Sequence, residues 1–198
     1  MKCIRTTICY VFILCLIAAC GGNSGGSSTA SSSVDLTGFE QINLGNGAVK
    51  AIKKDAAGAI IEEGILINGE KNGAWMTFHE DKTDRIKSLA NYVNNNLNGQ
   101  YFTFSNRGQI ESQTSYVNGQ YDGAYTKYRF GNVEESATYI NGQMEGTFKQ
   151  FYNTNKIKLE AQYKAGKQHG SYKYYDEDGN IMMEYEYANG EKVSGGMK

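Results

Sequence analysis

One short phrase recurs along this chain and limits what it can fold into. It consists of an aromatic residue, an Asn-Gly or related pair, a few variable residues, a second glycine and a burst of aromatics. It reads YVNGQYDGAYTKYRF from Tyr116, YINGQMEGTFKQFY from Tyr139 and YKAGKQHGSYKYYD from Tyr163. A shortened YANGEKVSGG starts at Tyr187, and looser copies, LINGEKNGAWMTFH and YVNNNLNGQYFTFS, start at Leu66 and Tyr92. The second glycine falls at Gly73, Gly99, Gly123, Gly146 and Gly170, at spacings of 26, 24, 23 and 24 residues. A weaker copy is placed at Gly47, with Val49 and Ile52 in its aromatic slots. A regular period of this size means that each copy is a small unit that buries its apolar side only against its neighbours.

Within each unit the second glycine is followed by an aromatic-rich run (AWMTFH, QYFTFS, AYTKYR, TFKQFY, SYKYYD). Then comes a turn (EDKTDR, SNRG, FGN, NTNK, DEDGN) and about eight residues leading to the next tyrosine. Two short runs of β-branched and aromatic residues separated by Gly, Asn and Asp predict a β-hairpin. The second strand alternates with a period of two: Ile157, Leu159, Ala161 and Tyr163 against Lys158, Glu160, Gln162 and Lys164. Such alternation puts one side on a core and the other in water. The slots read aliphatic, variable, small, tyrosine, and the small slot leaves room for large neighbours.

The first strand is less regular. Its aromatics lie two and five residues past the glycine, as in Tyr125 and Tyr128 or Phe148 and Phe151. An odd spacing sends such a pair to opposite faces unless a bulge realigns them, and both arrangements are compatible with the pattern. Most of the tyrosines occupy repeat slots, the mark of packing. Phe102, Phe130, Tyr152 and Tyr174 lie outside the slots and are expected to point away from their slotted neighbours. With Trp75, they are the candidate partner-contact residues.

The N-terminus has a different character. Lys2 and Arg5 precede an uninterrupted apolar run, Ile8 to Ala19, which is too short for a stable bilayer span of about 20 residues. The run fits the hydrophobic part of an export signal. It ends in Ile17-Ala18-Ala19-Cys20, which resembles a bacterial lipobox. The resemblance implies cleavage before Cys20 and acylation of that cysteine, each buried methylene contributing about 0.8 kcal/mol to membrane anchoring. All four cysteines (Cys3, Cys9, Cys15, Cys20) lie at or before this point, so the remainder can form no disulfide. GGNSGGSSTASSS, Gly21 to Ser33, follows as a flexible tether with a reach of about 20 Å. The expected organisation is a signal peptide over 1–19 and an acylated cysteine with linker over 20–33. A cap or degenerate repeat follows over 34–57, and the repeat domain covers 58–198.

The residues give little support to chemistry. Loss of Lys2 and Arg5 leaves 18 basic against 21 acidic side chains, which offers nothing to nucleic acid. His79 and His169 sit in different units and different slots, so they do not converge. DEDGN, Asp176 to Asn180, is shorter than a calcium loop of 12 residues and reads as a hairpin turn. No phosphate cradle, nucleophile elbow or metal-ligand spacing is present, and neither cofactor nor enzymatic activity is expected.

The phrase Y-x-N-G-x-x-x-G-x-[WYF]-x-x-[YF], carried from Gly58 to Gly196, resembles the MORN-repeat variant family of bacteria. The first unit departs from it with Leu66 in the tyrosine slot, and Ser194 stands in the last glycine slot, which suggests a truncated cap. The resemblance implies an all-β fold, an elongated antiparallel meander of hairpins forming a single-layer curved sheet. Many members carry an antitoxin-like label, and a repeat fold does not by itself fix function. The expected role is a lipid-anchored envelope module that binds another protein. The alternatives are an immunity or antitoxin protein, or an envelope glycan binder using aromatic stacking. The expected location is the outer membrane in a diderm cell, or the outer face of the cell membrane otherwise.

Overall fold

The computed structural model describes residues 34–198, and these form one open antiparallel sheet of 15 strands. The expected signal peptide over 1–19 and the expected acylated Cys20 with its linker over 20–33 lie outside the described residues. The order is β1 (Phe39–Gly45), β2 (Ala48–Lys54), β3 (Ile60–Ile67), β4 (Glu70–His79) and β5 (Lys82–Val93). It continues with β6 (Asn96–Phe104), β7 (Ile110–Val117), β8 (Gln120–Arg129), β9 (Asn132–Ile140) and the two-residue β10 (Gln143–Met144). The last strands are β11 (Gly146–Phe151), β12 (Ile157–Lys164), β13 (Lys167–Tyr175), β14 (Ile181–Ala188) and β15 (Glu191–Met197). Each strand pairs with the next along the chain, and β10 and β11 act as one interrupted strand beside β9. The expected all-β meander of hairpins is the architecture observed.

The Asn-Gly pairs close one rim of the sheet. Asn118 and Gly119 have φ of 49° and 79°, and Asn141 and Gly142 have 50° and 77°, the signs a type I′ hairpin turn requires. Consecutive turns on this rim are stitched through the backbone: Gly119 N–H donates to Leu97 O at 2.8 Å and Gly142 N–H to Tyr121 O at 2.8 Å. The residue before the second glycine adds a side-chain stitch. Asp122 Oδ2 accepts from Asn141 N–H at 3.0 Å, and Glu145 Oε2 accepts from Ala165 N–H at 2.7 Å.

The second glycine has a separate cause. At Gly123 the pairing jumps from Thr114↔Tyr125 to Tyr116↔Tyr121, so β8 bulges there, and Gly123 takes φ 104°. The bulge seats the following aromatic directly opposite the small slots of both neighbouring strands: Tyr125 faces Thr114 and Ala137, and Tyr101 faces Ala90 and Thr114. Each ring therefore lies between two small residues, and Ala90, Thr114, Ala137 and Ala161 are buried beneath the rings. Each ring also meets the tyrosine slot of the next strand edge-on. Centroids lie 6.0 Å apart for Tyr101–Tyr116, 6.2 Å for Tyr125–Tyr139 and 6.3 Å for Phe148–Tyr163. Such pairs add about 0.5–1.5 kcal/mol each beyond their buried area. This tyrosine face is the core of a sheet that has no second layer among the described residues.

The second aromatic of each unit goes to the other face. A second bulge lies on the partner strand, where pairing shifts from Gln150↔Leu159 to Phe151↔Ile157 and skips Lys158. Phe151 therefore shares the opposite face with Ile157, and the same step brings together Phe104 with Ile110 and Tyr128 with Val133. The expectation that Ile157 shares a face with Leu159 is corrected by this bulge. Both devices left open by the odd spacing are present, a bulge and aromatics on both faces.

The ends differ from the middle. At the N-terminal end Val34, Leu36, Phe39 and Val49 pack on the buried cluster of Ala51, Leu66 and Trp75. Asn46-Gly47 is the turn pair of this hairpin, with φ of 52° and 76°. β2 runs through without the bulge, so Ala51, opposite Gly64, takes the slot expected for Val49. At the C-terminal end Tyr185 occupies the small slot, and Gly195 sits across from it where earlier units place a ring.

Candidate interaction surface

The polar groups that could begin a catalytic site are used in holding turns. His79 Nε2 lies 2.9 Å from Phe104 O, and His169 Nδ1 is 3.4 Å from Asn189 N, in the same slot that Asp122 and Glu145 occupy. In DEDGN, Asp176 Oδ1 accepts from Asp178 N–H at 3.0 Å and Asn180 N–H at 2.8 Å. These bonds, with one from the Asn180 side chain, hold the Asp176 carboxyl below the usual carboxylate range. Asp55 and Ser105 close their turns in the same way, so the segment is a recurrent turn. Among the described residues no group of His, Cys, Asp and Glu is placed to hold a metal.

The candidate contact residues fall in different places. Trp75 is 3 % exposed and belongs to the core, which corrects its assignment as a contact. Its indole lies over Gly64, its Nε1–H donates to Ile65 O at 3.0 Å, and Lys71 Nζ sits 3.9 Å from the ring centroid. Phe102 stacks on Phe104 at 6.3 Å on the face opposite the tyrosines. Tyr174 is two residues from Tyr172 in an unbroken stretch of β13, so it shares the tyrosine face with its slotted neighbour instead of pointing away from it.

Tyr152 and Phe130 lie on the rim opposite the Asn-Gly turns. Tyr152 Oη–H donates to Tyr175 O at 2.6 Å, and hydrogen bonding with Tyr174 pushes the Tyr152 phenol up to about 12. The structure thus brings Tyr152 and Tyr174 together and leaves Trp75 and Phe102 apart from them. Phe130 is the first residue of a two-residue turn with Gly131 and is held at φ 53°. A side chain with a Cβ pays about 1–2 kcal/mol in this left-handed region. Phe130 nevertheless leaves 80 % of its surface in water.

Depressions flank this residue. One of about 340 Å³ lies between the turns at 105–109 and 129–132, lined by Arg107, Ile110, Tyr128, Arg129 and Phe130 among others. Two more, of about 210 and 590 Å³, lie between the turns at 129–132 and 152–156 and share Val133 and Phe151. The three turns carry Arg107, Arg129 and Lys156 and no acidic residue. Arg129 pairs with Glu134 at 2.6 Å, Lys156 Nζ donates to Glu177 O at 2.7 Å, and the Arg107 guanidinium has no partner among the described residues. These cations were missed in the sequence because their offsets from the repeat slots differ from unit to unit.

Three segments of the chain, 97–118, 144–165 and 168–189, match the family model described as MORN repeat variant. They coincide with hairpins of the sheet, and over those segments the chain is similar to that family. No curated protein matches the sequence. Solved structures give faint likenesses. A mutant of S. aureus TarM in complex with Fondaparinux, alpha-GlcNAc-glycerol and UDP is 9 % identical, with a TM-score of 0.28 over 81 % of this chain and 22 % of that one. The GtfA/B complex is 8 % identical, with a TM-score of 0.29 over 57 % of this chain and 19 % of that one. A further TarM structure is 9 % identical, with a TM-score of 0.24 over 81 % and 22 %. This chain spans about a fifth of the length of those proteins, and likeness at this level carries no functional argument.

Proposed function

We propose that this array of MORN-variant repeats is a non-enzymatic protein-interaction module, held in the cell envelope by lipid on Cys20, and that it meets its partner at the rim centred on Phe130. The observation that carries the reading is Phe130 itself: a large ring kept in water, in a backbone conformation that glycine or asparagine adopts at less cost. Strained, exposed positions of this kind concentrate where a protein is used. The enclosing turns are rigidly tied to the sheet, which suits a surface that binds without reshaping. The envelope glycan reading loses its best platform, because Trp75 faces the core.

A photo-crosslinking amino acid at position 130 tests the reading in living cells. The expected result is one discrete protein adduct, absent when the crosslinker stands at Glu191 on the other rim. Adducts equal at both positions, or none at either, would end it. Lipid attachment is checked separately: mass spectrometry of the mature protein is expected to find an acylated N-terminal peptide that begins at Cys20.

A further inference from the structure

The rim turns do more than expose a ring. Successive turns on this rim are two strands apart, so they recur about every 9.5 Å. The central three present one cation each, Arg107, Arg129 and Lys156, with no acid on the turns themselves. Acids lie on the strands beside them and on the next turn along the rim, Asp176 to Asp178, where Lys156 Nζ reaches Glu177 O at 2.7 Å. Glu134 is engaged by both Lys127 at 3.0 Å and Arg129 at 2.6 Å, and Glu111 lines the depression beside Arg107. The rim therefore reads, in order, cation, depression, cation with Phe130, depressions, cation, and then the acidic turn at 176–178. The floors are Ile110 with Tyr128, and Val133 with Phe151.

A peptide in the extended polyproline II conformation rises about 3.1 Å per residue with three residues per turn, so every third side chain points the same way about 9.3 Å further on. That matches the turn spacing. We infer that the rim's ligand is an extended acidic segment of a partner protein, with carboxylates at every third residue aligned on Arg107, Arg129 and Lys156 and with apolar side chains between them entering the depressions beside Phe130. This rests on the reading of the rim as the partner site and adds the chemistry of the partner. Arginine suits the role because its planar donors bind a carboxylate in pairs. The unpartnered Arg107 gives up no internal ion pair on binding. Phe130 supplies the rigid aromatic anchor that interface centres favour.

The strain at Phe130 makes the inference testable without risking the fold. Phe130→Gly removes the ring and relieves the backbone at once, so the variant is expected to melt no lower than the parent. The probe is a fluorescein-labelled peptide with Glu at every third position and Leu between, titrated by anisotropy against the full chain in detergent. Its counterpart carries Lys in place of each Glu. The expected result is saturable binding of the acidic peptide only, weakening as salt rises. Phe130→Gly is expected to weaken it at least tenfold with an undiminished melting temperature, and Arg107→Gln to weaken it and flatten the salt dependence.

Equal binding of the Lys peptide, undiminished binding by both variants, or no binding of the acidic peptide would each overturn the inference. Binding to anionic phospholipid vesicles while the peptide is ignored would also overturn it. A discrete crosslink at position 130 with no peptide binding would leave the rim as the partner site and remove only the acidic chemistry.

Discussion

At Gly64 a Cβ atom would run into the Trp75 indole. The indole cannot step aside, because its N–H is bound to Ile65 O and Lys71 covers its face. Gly64→Ala is therefore expected to destabilise the protein by about 1–3 kcal/mol in urea unfolding, as overpacking does in a filled core. Phe130→Gly is expected to act the other way, by about 1 kcal/mol, since it frees the turn of its left-handed strain. The two positions show what a sequence discloses at this scale. Small residues in the column of Gly64, Ala90, Thr114, Ala137 and Ala161 announce a crowded line, and that line is the core. The sign of φ at Phe130 was not legible, because phenylalanine avoids that region wherever local energy alone decides. Trp75 was misread because its size and rarity suggest display, whereas its neighbours leave it a slot.

The hairpin is legible at the scale of the element, its facing is not. Tyrosine slots, Asn-Gly turns and the meander follow from periodicity and turn chemistry. The bulges do not, because the residue that bulges, Lys158 in one unit and Glu134 in another, carries no marker of its own. One slipped residue moves Ile157 to the other face and makes both faces aromatic. The stitch made by the residue before the second glycine was also overlooked, although its succession Asn72, Asp122, Glu145 and His169 is a column of hydrogen-bond acceptors. Glu145→Ala is expected to cost about 1 kcal/mol. It should also speed hydrogen exchange at the Ala165 amide while leaving the amide of Asn141 unchanged.

Five tyrosines spread along the sheet are shifted in the same direction. Burial pushes the phenols of Tyr92, Tyr125, Tyr139 and Tyr172 up from 10.0, and Tyr116 is raised further by burial and its bond with Tyr121. Unfolded tyrosines ionise near pH 10 and these five, when folded, above it, so the native state holds more protons there. Their contribution is complete below pH 10 and fades as pH rises through the folded values. Denaturation midpoints are expected to fall above pH 10, and absorbance at about 295 nm to show a late-titrating class of phenols that merges with the rest on unfolding. The sheet's ends are unequal. The N-terminal hairpin is roofed by Leu36 and Phe39, whereas β15 carries Ser194, Gly195 and Gly196 and contributes no ring. In a nearest-neighbour array this sets the order of opening, and exchange is expected to be fastest in β15 and slowest in the central units.

Tyr185 also bears on how such a chain can lengthen in evolution. In every earlier unit the corresponding place is small, and an incoming ring from the following strand fills the room above it. Here that room is already taken. A duplicated module can be spliced between existing ones, where glycine, alanine or threonine awaits it, but a ring in place of Gly195 on β15 would meet an occupied seat. Remaking β15 as a ring-bearing strand first requires Tyr185 to shrink.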